Sequence, residues 1–173
     1  KTLENGKVIT LKARNGKYNQ NKKILDLKTD VVSNYNHQME IKTSSATYNF
    51  ATEYGYGNEK VIGNGEKGYF EADKFTFSKP KGIITLINNV YMKSGDTELR
   101  TPTADIGIYS STKKTFTLQN NVKVKDKSGY TAVAKNGIYD LNNKTFTLLN
   151  NVRIDKGNNV ITCLLYTSDA ADE

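Results

Sequence analysis

The chain has 173 residues, of which 36% are hydrophobic and 10% aromatic, and its formal net charge is +7 at pH 7. This length suits one domain, the apolar content excludes a disordered chain, and no apolar run approaches the ~20 residues that span a bilayer. The lysines are spread along the whole sequence and form no compact basic run with interleaved aromatic residues. We therefore expect no nucleic-acid partner.

A short apolar run that ends on a valine recurs along the chain with a period of about thirty residues. These valines are Val31, Val61, Val90, Val122 and Val152. Three of the runs are near-copies, at residues 84–92, 116–124 and 146–154. Self-similarity at a fixed period indicates one supersecondary unit stacked on itself, with a core that successive units share. We expect about five such repeats in residues 1–162.

Each repeat predicts two β-strands joined by a polar turn. In the last copy, Phe146, Leu148, Val152 and Ile154 share one face by simple alternation, which is the period of a half-buried strand. The strand before it carries alanine and tyrosine, and a turn rich in asparagine, aspartate or serine separates the two. No segment has apolar spacing of helical period. We therefore predict an all-β, unclosed, twisted sheet of about ten or more strands.

The doubled asparagine before each valine has two interpretations. Asn88, Asn120 and Asn150 fall on the inward face by strict alternation, where an unsatisfied amide would be costly. A β-bulge with positive φ removes this cost, because asparagine adopts that conformation more readily than most residues. A stacked ladder of amides between successive repeats is the alternative. The bulge is the favoured interpretation.

Residues 163–173 break the repeat and resemble the translation of a sequencing adapter. We interpret them as an artefactual tail and expect them to be disordered or packed arbitrarily. On this interpretation Cys163, the only cysteine, carries no information about redox compartment. The natural protein is expected to continue past Thr162, where residues 160–162 begin another strand with a free edge.

The last two repeats resemble the OstA-like components LptA and LptC, the periplasmic bridge proteins of lipopolysaccharide transport, whose fold also forms the N-terminal part of LptD. The residues that carry the resemblance are Ala134, Tyr139, Asp140, 144–148 and 151–154, with a second copy over 104–124. Residues 8–92 resemble LptC most, and residues 93–162 resemble LptA most. The family usually has glycine before Asn-Val, where this chain has asparagine.

The resemblance implies a single domain over residues 1–162, folded as a twisted β-jellyroll that is unclosed along one edge. It implies a non-enzymatic periplasmic protein without cofactor, which carries lipopolysaccharide from the inner to the outer membrane with the acyl chains in an apolar groove. Expected partners are lipopolysaccharide, other jellyroll components that pair by their strand edges, and the inner-membrane ABC transporter. Anchoring by an N-terminal helix outside this sequence is a further expectation.

The candidate groove residues are the inward apolar positions of the repeats. They are Leu27, Ala72, Leu86, Val90, Ala104, Phe116, Leu118, Val122, Ala134, Phe146, Leu148 and Val152. Plain core packing is the alternative interpretation for all of them. Lys123, Lys125 and Arg153 are candidate contacts to lipid phosphates at the groove rim, and a solvated strand face is the alternative for these three.

No catalytic or metal-binding pattern is present in the sequence. Acidic residues are scattered singly, the lone histidine is His37, and no serine has a partnered histidine. We therefore expect no enzyme activity and no metal. The competing hypotheses are a structural or adhesive β-repeat protein with a fully packed core, and a right-handed β-helix enzyme acting on polysaccharide. The enzyme is disfavoured because it would need clustered carboxylates.

Overall fold

The computed structural model describes residues 9–35, 39–65, 68–94, 100–126, 129–157 and 159–169, which form fourteen β-strands and no helix. The strands are β1 Ile9–Lys12, β2 Asn15–Asn19, β3 Ile24–Tyr35, β4 Met39–Asn49, β5 Tyr54–Gly57, β6 Val61–Gly65, β7 Gly68–Ala72, β8 Lys74–Ser78, β9 Ile83–Ser94, β10 Arg100–Ser110, β11 Thr115–Asp126, β12 Thr131–Asp140, β13 Thr145–Lys156 and β14 Asn159–Asp169. Within these ranges, no helix long and apolar enough to cross a membrane is found.

All strands belong to one antiparallel sheet in which the chain runs back and forth. We call each position in the strand order of the sheet a rung. Three rungs are each split into two short strands: β1 with β2, β5 with β6, and β7 with β8. The fourteen strands therefore make eleven rungs. The first rung and β14 lie at opposite edges and do not pair with each other. The predicted all-β, unclosed sheet of two-strand repeats is confirmed.

Four long strands, β3, β9, β11 and β13, bend at a pair of residues with positive φ, and the pair is two asparagines in the last three. In β11, Asn120 and Asn121 have φ values of 60° and 51°, and the two of them stand opposite the single residue Lys135 of β12. Both asparagines are exposed on the outer face. The same bulge occurs at residues 88–89 and 150–151, and residues 29–30 form it in β3. The predicted bulge with positive φ is therefore confirmed.

The amides at these bends do not stack into a ladder. Asn121 Nδ2 donates to Asp105 Oδ2 at 2.7 Å, and Asn89 Nδ2 donates to Asp73 Oδ2 at 2.8 Å. At the same position of the first repeat, Arg14 Nε lies 2.5 Å from Asp30 Oδ2. Three of the four bends are thus closed by a polar pair to the neighbouring rung, instead of by the asparagine of the next repeat.

The bends fold the sheet into two walls. The extra residue of each bulge lies on the outer face, so every rung turns inward at the same level. Across the bend, a methyl group placed on Gly107 of β10 would lie 3.0 Å from Val90 Cγ1 of β9. One buried cluster contains residues from both sides of the bends. We call the halves that end at the turns 20–23, 50–53, 79–82, 111–114 and 141–144 the lower wall, and the other halves the upper wall.

Large and small residues alternate across the rungs of both walls. In the upper wall valine stands beside alanine, as in the pairs Val61–Ala72, Val90–Ala104 and Val122–Ala134. In the lower wall leucine stands beside glycine, in the order Leu86, Gly107, Leu118, Gly137, Leu148. This alternation lets the two walls interdigitate. All five repeat valines are at most 3% exposed.

The tail expected to be disordered or packed arbitrarily is ordered over residues 163–169. These residues complete β14, in which Cys163 pairs with Val152 and Tyr166 with Leu148. The free edge of β13 explains this order, because it offers unpaired backbone groups to any following segment without proline. Leu164 and Leu165 remain 79% and 58% exposed. The adapter origin of the tail stays a prediction, and residues 170–173 lie outside the described residues.

Candidate functional site: the inner apolar face

Eleven of the twelve candidate groove residues are buried between the two walls. Their side chains are at most 8% exposed, from Val122 at 0% to Ala134 at 8%. The twelfth, Leu27 in β3, is half-buried. The structure therefore brings the predicted positions together on one continuous inner face. Their role in lipid binding stays a prediction.

The inner face is buried in the middle of the sheet and more accessible toward both edges. In β14, Ile161 and Tyr166 lie opposite Ile154 and Leu148 and are 58% and 39% exposed. The buried cluster runs from Val61 in β6 to Ile154 in β13. Toward the N-terminus, the inward residues Leu25, Leu27 and Ala46 are only half-buried. Tyr18, at the edge, is 53% exposed. An apolar ligand would therefore meet accessible inner surface in the first four strands.

Several further residues line the inner face but were not among the candidate groove residues. They pack against the buried cluster as partly buried side chains: Ile41, Phe70, Phe75, Ile84, Met92, Tyr109, Tyr130, Tyr139 and Cys163. Tyr109 and Tyr139 pair across strands with Phe116 and Phe146, with ring centroids 6.3 Å and 6.4 Å apart. For Tyr109 and Tyr139, the sequence did contain a signal, because a tyrosine recurs two residues after Gly107 and Gly137.

Two glycines of the split rungs make room for aromatic rings. A Cβ atom on Gly57 would overlap the Phe75 ring and lie 2.9 Å from the Ser45 carbonyl oxygen. A Cβ atom on Gly63 would overlap the Phe70 ring. The absence of a side chain at these positions therefore lets the rings lie flat over the neighbouring strand.

The inner face carries no chemistry beyond apolar contact. Among the described residues, no polar or charged residue is buried, and no group of three histidine, cysteine, aspartate or glutamate side chains could hold a metal ion. His37 lies outside the described residues. This surface can bind an apolar chain.

A small polar network ties the split rung of β7 to the loop before β6. Glu71 Oε2 accepts a hydrogen bond from the Tyr69 hydroxyl at 2.8 Å and lies 3.0 Å from Lys60 Nζ. The Tyr69 hydrogen bond and then the Lys60 ammonium group lower the pKa of Glu71. The same hydrogen bond raises the pKa of Tyr69. The network lies on the outer face, where alternation also places Tyr91.

The three candidate rim residues lie on the outer face of the sheet. Lys123, Lys125 and Arg153 are exposed and alternate with the buried residues of β11 and β13. Arg153 is held by Asp155, with Nε and Nη2 3.1 Å and 3.0 Å from Oδ1. An open depression of about 420 Å³ lies beside Arg153 at the bend between β13 and β14. Contact of these three residues with lipid phosphate stays a prediction.

Two family models match the chain. The model of the lipopolysaccharide-assembly, LptC-related proteins matches residues 2–98, and that of the LptA/(LptD N-terminal domain) LPS transport proteins matches residues 69–168. No curated protein matches the sequence. Among solved structures, the chain is similar to LptH of Pseudomonas aeruginosa, described as the LptA-homologous periplasmic component of the lipopolysaccharide transport device. That likeness has 14% identity and a TM-score of 0.34, over 91% of this chain and 94% of that chain.

Each of the two family models covers more than half of the 173 residues, and their matches overlap over residues 69–98. The overlap falls in β7, β8 and β9, which belong to the same continuous sheet as the strands on either side. The all-β sheet and the two matches agree, and the chain belongs to the LptC/LptA family of periplasmic lipopolysaccharide-transport proteins.

Proposed function

We propose that this protein is a non-enzymatic bridge component that carries lipopolysaccharide across the periplasm with its acyl chains against the inner apolar face. The observation that carries the proposal is the composition of that face. It is apolar across the rungs of one sheet, and no strand pairing joins the first rung to the last. An apolar surface that is enclosed by two walls but never closed into a barrel suits a ligand that must enter and leave.

Entry of the acyl chains is proposed at the N-terminal rungs. Leu25, Leu27 and Ala46 present half-buried apolar surface there, so a chain can bind before any protein contact is broken. Further along, the walls must separate to admit it. Separation exposes apolar side chains at ~25 cal/mol per Å², but an acyl chain in the gap buries the same surface again. The net cost is therefore small once the ligand is in place.

The competing function is a structural β-repeat protein with a packed core. It is favoured by the seven large side chains of the inner face that are less than 2% exposed, among them Leu86, Leu118 and Leu148. The two functions differ in one respect that can be measured. A carrier opens its walls for an acyl chain, whereas a packed repeat does not.

Partners of the proposed carrier follow from the two edges of the sheet. The outer edges of the first rung and of β14 have no strand beside them within the described residues, and unpaired strands accept a strand from a neighbouring jellyroll. We assign the driving force for transport to the inner-membrane ABC transporter. The anionic partner of this basic chain is then the lipid, and no role in nucleic-acid binding is assigned.

The proposal is tested by photocrosslinking to lipopolysaccharide from matched positions. A benzophenone amino acid replaces Leu27 or Phe116 on the inner face, and Lys28 or Lys123 on the outer face. Circular dichroism and thermal unfolding establish that each variant is folded. We expect crosslinks from the two inner positions only, with competition by unlabelled lipopolysaccharide. Equal labelling of inner and outer positions, or none from folded inner variants, would contradict the proposal.

A further inference from the structure

The five turns at the end of the lower wall concentrate positive charge. Four of the five turns hold lysine, seven in all, and the only acidic residue within the turns is Glu53 of the second turn. Asp140 directly precedes the last turn. The lysines are Lys22, Lys23, Lys79, Lys81, Lys113, Lys114 and Lys144. All seven are exposed. We call this row of turns the lysine lip.

Backbone hydrogen bonds hold the turns in line. The carbonyl oxygen of the last residue in one turn accepts a hydrogen bond from the next turn, as in Phe50 N to Lys23 O and Leu141 N to Lys114 O, both at 2.9 Å. The bonds from Lys79 N to Glu53 O and from Ser111 N to Gly82 O complete the series, at 3.0 Å and 2.8 Å. Successive turns are two rungs apart, or about 10 Å at the usual strand spacing. The lysine lip is therefore a fixed row of charges, and its turns are not independent loops.

The two acidic residues leave most of this charge uncompensated. Glu53 forms an ion pair with Lys79. Asp140 accepts hydrogen bonds from the Asn142 and Asn143 amides of the turn that follows it, at 2.8 Å and 3.1 Å. The other six lysines form no ion pair with any described residue. Their ammonium groups remain available to an anion.

Three of these lysines occupy a strained backbone position. Lys23, Lys114 and Lys144 have φ values of 53°, 55° and 56°, and the equivalent residue of the third turn is Gly82 at 60°. Glycine adopts this conformation without steric strain, whereas in a lysine the Cβ atom comes too close to the following carbonyl oxygen. Strained residues of this kind cluster at sites that bind ligands. The equivalent residue of the second turn is Glu53, at φ 51°, so this position carries a charged side chain in four of the five turns.

The lysine lip lies next to the first row of the inner apolar face. Phe116 is two residues after Lys114, and it pairs with Tyr109, two residues before the turn begins. A ligand whose chains lie against Phe116 and Leu118 therefore has its headgroup at the lysine lip. The matching chemistry is an acylated molecule with a phosphorylated headgroup, since phosphate oxygens pair with ammonium groups.

We propose that the lysine lip is the anion subsite for the phosphorylated headgroup of the acylated ligand. This inference rests on the proposed function, because it needs acyl chains on the inner face. The first, third and fourth turns carry two lysines each and the fifth carries one, so phosphates can move along this row while the chains follow the face. The lysine lip thereby takes the role that the sequence suggested for Lys123, Lys125 and Arg153, which lie on the opposite face.

Two variants with the same change of charge test the subsite. The lip variant combines Lys22→Gln, Lys81→Gln and Lys113→Gln, which avoids the strained positions. The matched control combines Lys28→Gln, Lys74→Gln and Lys135→Gln, three exposed lysines of the outer face. Binding is measured with fluorescent lipid A that carries its phosphates, with the same lipid after dephosphorylation, and with anionic phospholipid vesicles that contain no lipid A.

We expect the lip variant to bind phosphorylated lipid A about tenfold more weakly than wild type, given the usual strength of exposed ion pairs, and to bind dephosphorylated lipid unchanged. The control should bind both lipids like wild type. An equal loss in both variants, or no loss in the lip variant, would overturn the subsite while leaving the carrier proposal intact. Lip-dependent binding to vesicles with unchanged binding of lipid A would assign the lysine lip to a membrane surface instead. Failure of wild type to bind either lipid would refute the carrier and the subsite together.

Discussion

Asn120 allows the bend of a rung to be tested with one side chain. It has φ of 60°, is exposed, and its side chain has no hydrogen-bond partner among the described residues. Replacement by alanine therefore changes the backbone preference and little else. The left-handed conformation costs an ordinary L-residue roughly 1–2 kcal/mol, and asparagine less. Glycine adopts it freely but loses about 0.5–1 kcal/mol of chain entropy on folding.

We expect Asn120→Ala to lower the free energy of unfolding by about 1 kcal/mol and Asn120→Gly to leave it within about 0.5 kcal/mol. Urea unfolding can be followed by tyrosine fluorescence, since the chain has eleven tyrosines and no tryptophan. For a chain of this size, 1 kcal/mol corresponds to a shift of about 2–4 °C in Tm.

The control is Lys123→Ala, an exposed position of the same strand outside the bend, which should change stability by less than about 0.5 kcal/mol. Only the order of the two Asn120 variants tests the bend itself. If alanine proved as stable as glycine at this position, left-handed backbone would not be what holds the two walls at their angle.

Four further outcomes are expected. Thr29→Asn should stabilise the protein by about 0.5–1 kcal/mol, because a β-branched residue is strained at φ 64° where other repeats place asparagine. Gly57→Ala should destabilise it by about 1–3 kcal/mol through overlap with a ring and a carbonyl oxygen, and more than Gly16→Ala, whose Cβ would have the Leu27 Cδ2 atom at 3.3 Å as its nearest neighbour. The lowered pKa of Glu71 implies a contribution to stability that is fully present above the ordinary carboxyl pKa and lost as pH falls through the folded-state pKa. The stability gap between wild type and Glu71→Gln, measured by urea unfolding across acidic pH, should therefore close toward low pH, and a constant gap would contradict the assignment. Leu27→Asp, at a half-buried inner position, should leave the protein folded and reduce lipopolysaccharide crosslinking from Phe116, whereas Lys28→Asp should not.

Much of the fold is determined by local sequence. Alternation of apolar and polar residues depends only on the period of a strand, so Phe116, Leu118 and Val122 could be assigned to one face without knowledge of the sheet. The asparagine pairs identified the bends for the same reason, because φ is a property of one residue. The repeat period then placed equivalent residues of successive units side by side.

Exposure and alignment were decided only by the tertiary structure. Leu27 and Leu118 have the same pattern in the sequence, yet Leu27 is half-buried and Leu118 is 1% exposed. The difference depends on what the opposite wall places over each of them. Residues 163–169 became part of β14 because the edge of β13 was free. A free edge depends on pairing, and local sequence does not encode it.

The lysine lip shows the same division most clearly. Each turn can be recognised from its own residues, and lysine in a turn is ordinary in a basic chain. Only the antiparallel register, which pairs residues far apart in the chain, brings Lys23 and Lys114 to the same end of the lower wall. The sequence by itself determined the strands, the bends and the inward face, because these follow from neighbours along the chain. The tertiary structure alone decided which charges stand in line and where the inner face is open. Both features depend on residues that are neighbours in space on different strands.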